Sequence, residues 1–238
     1  MAVHTESIQL IAPALLVYAH DRERASQQGS VLFYHGLGSS KDQQLTELTS
    51  LAERGFLAIG VDNVGHGERR YADFDARFSQ HNPNWGHALL GAVAATAQEV
   101  PRLLDAYIQA GIVNPARVGL VGVSMGGYIA YAAALAERRL KAVSVILGSP
   151  VWWEAEANSP HRTPERFYPT ALLSQNAGCD TSVPPHHARD FHQTLTPYYA
   201  DQPARQQYLE YPQSGHFMRE QDWHQCWEHS LNWLNRWL

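Results

Sequence analysis

The sequence predicts an α/β fold, a mostly parallel central sheet with helices on both faces. Three observations predict it. Short apolar, β-branched runs alternate with longer stretches of helical periodicity, and a strand buried on both faces reads as an unbroken apolar run. The 238 residues are 45% hydrophobic and 17% charged, which is enough apolar material for a large core. The pentapeptide Gly122-Val123-Ser124-Met125-Gly126 lies between one such apolar run, 118–121, and a helix-forming stretch, 127–137.

The remaining elements follow in chain order. The apolar stretch 8–18 reads as two edge strands around Ala12-Pro13. It is too short to span a bilayer, and residues 1–6 lack the basic cluster of a secretory signal and include Glu6. Residues 31–34 form a strand that runs directly into His35-Gly36-Leu37-Gly38. Leu45, Leu48 and Leu51 are spaced for one helical face, and Gly55 ends that helix. Residues 56–61 are the next strand, followed by a long aromatic and charged loop at 63–83. Leu89, Leu90, Val93, Ala97, Val100 and Leu104 line a helix that Pro101 is expected to kink. Residues 142–147, 170–174 and 208–211 read as the later strands. Trp223, Trp227, Leu231, Leu234 and Leu238 form a terminal helical stripe that belongs to the core.

A Gly-x-Ser-x-Gly run between strand and helix is a nucleophile elbow, a sharp turn that lifts the serine hydroxyl above the sheet edge. Gly122 and Gly126, lacking Cβ atoms, let the helix pack closely on the strand. A serine needs an adjacent base, itself oriented by a third group. Among 13 histidines, His216 follows the last strand on the turn Pro212-Gln213-Ser214-Gly215 and is the expected base. His186, His187, His192, His224 and His229 fall on polar or helical stretches and read as solvated. The acid belongs between serine and histidine in chain order. Asp180 stands there, with an Asx-turn as its plain structural reading and Asp190, Glu154 and Glu156 as alternatives. Backbone N–H groups of Leu37 and Met125 are the candidate donors to a developing oxyanion. Trp152, Trp153 and Trp85 are candidate pocket residues, and Tyr71, Phe74 and Phe78 could wall the same space. His66 and Arg69 read as loop-stabilising.

With these pieces in order the chain resembles the α/β-hydrolases. The resemblance rests on His35-Gly36-Leu37-Gly38-Ser39-Ser40-Lys41-Asp42, Asp62-Asn63-Val64-Gly65-His66-Gly67-Glu68-Arg69, the elbow, Gly178, Asp180, Val183 and Pro184 in their spacing, and Ser214-Gly215-His216. It runs from about Val31 to the C-terminus, and the chain resembles the compact bacterial esterases close to the dienelactone hydrolases and the catalytic domains of prolyl oligopeptidases. The acid loop departs from the pattern, reading Gln175-Asn176-Ala177-Gly178 where many relatives carry a His-Gly pair. A serine stands where true dienelactone hydrolases have cysteine. The resemblance implies one α/β-hydrolase domain over 1–238 with a short cap insertion at about 151–168. It also implies a serine hydrolase that cleaves small to medium carboxylic esters through an acyl-enzyme. A peptidase or thioesterase with the same triad, or a non-catalytic small-molecule binder, are the alternatives.

Composition narrows the partners. A net charge of −5 argues against nucleic acid, and no Lys or Arg run suggests a membrane surface. No His/Glu pair has metal-ligand spacing on a predicted helix, and neither cofactor nor metal is expected. Cys179 and Cys226 give no disulfide framework, which suits a reducing, cytoplasmic setting. The expected partner is a small-molecule ester. The sequence leaves oligomeric state open.

Overall fold

The computed structural model describes residues 2–153 and 156–238. In chain order its elements are β1 (Val3–Gln9), β2 (Pro13–Ala19), α1 (Arg22–Gln28), β3 (Ser30–Tyr34), α2 (Leu45–Glu53), β4 (Leu57–Val61), α3 (Phe74–Arg77), α4 (Trp85–Gln109) and β5 (Val118–Val123). Then come α5 (Met125–Ala136), β6 (Leu140–Ile146), β7 (Ala171–Ala177), α6 (Pro185–Leu195), β8 (Gln206–Tyr211) and α7 (Glu220–Trp237). Among the described residues the strands form one sheet in the order β1-β2-β4-β3-β5-β6-β7-β8. The pairs from β4 to β8 are parallel, and β1 and β2 add an antiparallel edge.

Alternation along the strands splits the core in two. Leu32 and Tyr34 of β3 face the side covered by α4 and α5, whereas Val31 and Phe33 face the side covered by α2 and α7. Both faces are apolar because both are covered, as a parallel sheet requires. Strand order reverses between β3 and β5: the chain steps outward from β3 to β4, then crosses back along α4 to β5. A crevice opens at such a switch point, beyond the carboxyl ends of the strands. Among the described residues no helix is long and apolar enough to cross a membrane.

Several local expectations change. β2 pairs with β1 on one side and β4 on the other, so of these two strands β2 is internal and β1 alone lies at the sheet edge. Leu45, the first residue of α2, is 45% exposed, while Leu48 and Leu51 fill the core. Helix α4 continues through Pro101, where the missing N–H leaves out one helical bond. β7 runs on to Ala177 because its polar residues are paired: Gln175 Nε2 donates to the Cys226 carbonyl (3.0 Å) and to Ser230 Oγ (2.8 Å). His192 is buried, not solvated, and bonds Gln206 Oε1 (2.7 Å) and Ser174 Oγ (2.8 Å).

The segment between β6 and β7 contains the short 3-10 turns Glu156–Asn158, Pro160–Arg162 and Pro164–Arg166. Ser159 anchors it, accepting from the Trp152 amide at 2.7 Å and donating to the Pro150 carbonyl at 3.0 Å.

Candidate active site

Ser124 stands between β5 and α5 with φ +56° and ψ −115°, a left-handed backbone that a non-glycine residue adopts only where its surroundings enforce it. Close packing is what enforces it. A Cβ on Gly122 would fall 1.9 Å from the Gly126 carbonyl oxygen, and one on Gly126 would fall 1.9 Å from that of Tyr34. The Ser124 amide donates to the Ile146 carbonyl at 2.9 Å, which fixes the turn against β6.

His216 and Asp180 arrive from the loops after β8 and β7. Ser124 Oγ lies 2.9 Å from His216 Nε2, and His216 Nδ1 lies 2.7 Å from Asp180 Oδ2. A buried carboxylate that only accepts fixes the tautomer: Nδ1 carries the proton and Nε2 accepts from the serine hydroxyl. The other Asp180 oxygen, Oδ1, accepts from the Ser182 (2.8 Å) and Val183 (2.9 Å) amides, the Asx-turn reading realised together with the histidine contact. Asp190 is exposed on α6. Glu154 and the side chain of Glu156 lie outside the described residues.

The loop after β3 passes beside the elbow, and a Cβ on Gly36 would sit 3.6 Å from that of Ser124. Leu37 and Met125 both line the cleft above the serine. Among the described residues neither of their amides bonds a protein acceptor. His35 and the Asp62–Arg69 segment hold this loop. Fully buried, His35 donates from Nδ1 to the Gly36 carbonyl (2.8 Å) and accepts at Nε2 from the Asn63 amide (3.2 Å). Burial pushes its pKa down to about 4, so the ring is neutral and this tautomer persists at neutral pH. Asp62, also buried, accepts from the amides of Lys41 (2.8 Å) and Glu68 (2.9 Å). Gly67 makes the second contact possible, since a Cβ there would lie 2.1 Å from the Asp62 carboxylate. Arg69 donates to the Asp62 carbonyl (2.6 Å) and pairs with Glu99 (2.8 Å). His66 is buried against Phe74, with ring centroids 4.9 Å apart. Neither His66 nor Arg69 lines the cleft.

The cleft has a volume of about 900 Å³. One wall is aromatic: Phe78, Trp85, Tyr128 and Trp153, with Leu89 beneath. Met218 and Trp223 form another wall, with Phe217, 95% exposed, at its rim. Trp152 is placed elsewhere. It is buried in the core on the α4 and α5 side of the sheet and does not line the cleft. Tyr71 packs on Gly65 and Phe74 on His66, so of the loop aromatics only Phe78 reaches the cleft. Trp223, read from the sequence as core, also lines it. The helical stripe gave no signal for that, since the stripe's first residue lies at the open end of α7. Among the described residues no Asp, Glu, Lys or Arg lines the cleft.

The model of the alpha/beta hydrolase family matches residues 31–236. The chain belongs to the α/β-hydrolase family. The Bacillus subtilis (strain 168) protein named "Putative esterase YitV" is 26% identical to this hydrolase over 208 residues, spanning 75% of this chain and 79% of that one. The crystal structure of TT1662 from Thermus thermophilus aligns with a TM-score of 0.82 at 22% identity, over 98% of this chain and 99% of that chain. The structure titled "Putative Dienelactone Hydrolase", from Klebsiella pneumoniae subsp. pneumoniae MGH 78578, aligns over 100% of both chains with a TM-score of 0.70 and 18% identity. At such identities the two structures speak for the shared fold alone.

Proposed function

We propose that this hydrolase is a serine carboxylesterase for small to medium, uncharged esters. The observation that carries the reading is the hydrogen-bonded series Asp180–His216–Ser124 at 2.7 and 2.9 Å, opening into a cleft beside two amides without acceptors among the described residues. Ser124 Oγ adds to the ester carbonyl as His216 Nε2 takes its proton, and Asp180 stabilises the resulting imidazolium. The carbonyl oxygen becomes an oxyanion facing the Leu37 and Met125 amides, each such donor being worth about 3 kcal/mol in the transition state. Collapse breaks the ester C–O bond, and His216 returns the proton to the departing alkoxide. Water then repeats the sequence on the acyl-enzyme, releasing the acid and the free serine.

An ester without a charged group suits the apolar lining of Trp85, Leu89, Tyr128 and Trp153, since a charge brought there would need a partner beside it. The expected partner is a small molecule. An exposed unpaired thiol at Cys179 suits a reducing, cytoplasmic setting.

Ser124→Ala tests the reading. A fluorophosphonate should label the parent once, at Ser124. The variant should lose both labelling and hydrolysis of 4-nitrophenyl butyrate, with its melting temperature unchanged or raised because the left-handed serine turn serves chemistry rather than packing. Hydrolysis by the alanine variant at the parent rate would sink the proposal and favour a binding role.

A further inference from the structure

The two cleft walls belong to opposite faces of the sheet. Phe78, Leu89 and Tyr128 pack with the core under α4 and α5, while Met218 and Trp223 pack with the core under α7. Ser124 stands between them on top of β5. His216 is continuous with the second wall: Phe217 follows it in the chain, with ring centroids 5.9 Å apart. Resting on the serine esterase reading, this asymmetry orients the substrate. His216 must hand its proton to the leaving oxygen, so the alcohol departs on the His216 side. The acyl group then lies against the first wall.

That wall is a continuous aromatic surface. The Trp85 and Trp153 rings are 5.8 Å apart, and Tyr128 meets Trp153 edge-on at 6.1 Å. These rings come from α4, α5 and the segment after β6, and so converge from three separate parts of the chain. Trp153 is 46% and Trp85 37% exposed, so both keep open ring surface toward the cleft. A flat ring laid there gains aromatic contacts beyond simple area burial. A flexible alkyl chain of similar area loses rotational freedom and gains no such contacts. A carboxylate on the acyl part would lie desolvated against these apolar rings.

We infer that the acyl group delivered to Ser124 is a neutral arylalkanoyl group, its ring against Trp85, Tyr128 and Trp153, and that the alcohol leaves past Phe217, Met218 and Trp223. The test compares 4-nitrophenyl 3-phenylpropanoate with 4-nitrophenyl octanoate, which share a leaving group and a saturated α-carbon. The purified chain should favour the aryl ester by about tenfold in kcat/KM. Trp153→Leu and Trp85→Leu should each reduce that ratio at least threefold, and Trp153→Phe should retain most of it. Equal or better use of octanoate by the parent overturns the inference, as does an unchanged ratio in both leucine variants. Met218→Ala should alter the ratio between 1-naphthyl and 4-nitrophenyl acetate and leave the acyl ratio alone. Movement of the acyl ratio instead would reverse the two walls. Absence of turnover on every ester, with no fluorophosphonate label, would defeat the esterase reading itself, whereas turnover without aryl preference defeats only the acyl assignment.

Discussion

The Cys179 amide donates to the Ser214 carbonyl at 2.9 Å, tying the loop that carries Asp180 to the loop that carries His216. One step earlier, the Gly178 amide donates to the Tyr211 carbonyl at 2.8 Å, so the β7–β8 pairing continues past the strand ends. Asp180 and His216 therefore reach Ser124 as one hydrogen-bonded unit. The histidine side is braced further: Ser214 Oγ donates to Asp222 Oδ2 at 2.6 Å and accepts from the Arg219 amide at 3.1 Å.

Removing that brace tests whether positioning matters apart from chemistry. In Ser214→Ala the Asp222 carboxylate and the Arg219 amide both lose a partner, and the His216 loop is held less firmly. We expect kcat to fall by roughly tenfold to a hundredfold, the range a displacement near 1 Å produces, with KM little changed and fluorophosphonate labelling slowed but still at Ser124. Parent kinetics in this variant would assign Ser214 to stability alone.

Asp180→Asn separates the charge of Asp180 from its Asx-turn. The asparagine oxygen can still accept from the Ser182 and Val183 amides, so the loop should hold. Its amide nitrogen, however, is a donor facing His216 Nδ1, which favours the wrong tautomer. Turnover should drop by about 10³–10⁴-fold while circular dichroism stays unchanged. Full activity would move the role to Asp190, Glu154 or Glu156.

Three buried histidines, His35, His66 and His192, have pKa values lowered by burial and make stability depend on pH. Burial pushes both His35 and His192 down to about 4 from an ordinary value of 6.5. As pH falls through 6.5 the unfolded chain takes up these protons first, so stability is full above that value, declines toward pH 4 and then levels off. His35 and His192 each contribute a loss on the order of 2 kcal/mol by pH 5. Urea unfolding at pH 7.5 and pH 5 measures the difference. His192→Gln should be less stable at pH 7.5 yet show a shallower decline, and an identical slope would remove His192 from the account.

Glycines at two positions should respond in opposite ways. Gly126→Ala brings a methyl to 1.9 Å from the Tyr34 carbonyl oxygen, backbone that cannot yield, and should give no soluble folded protein. Gly91, on the exposed side of α4, has nothing within 4 Å of an added Cβ. Gly91→Ala should therefore stabilise by about 0.5–1 kcal/mol, seen as a raised denaturation midpoint with an unchanged rate on 4-nitrophenyl butyrate.

Much of this protein was determined by local sequence. The elbow at Ser124 and the glycine turns around it need only short-range sterics, and the parallel sheet follows from apolar runs alternating with helical periodicity. Chain order puts His216 and Asp180 on loops that meet Ser124, because the loops after successive parallel strands emerge at the same sheet edge. Tertiary structure decided what depends on partners distant in the chain. Gln175 reads as loop by its polarity, yet it lies in β7 because α7 supplies its hydrogen bonds. His192 is polar by type and buried in fact, since Ser174 and Gln206 satisfy both ring nitrogens. Trp152 and Trp153 are identical in sequence terms, but the one packs in the core under α4 and α5 and the other faces the cleft. Which way a side chain turns, and what it meets there, is set by elements brought together from across the chain, and no local window of sequence contains them.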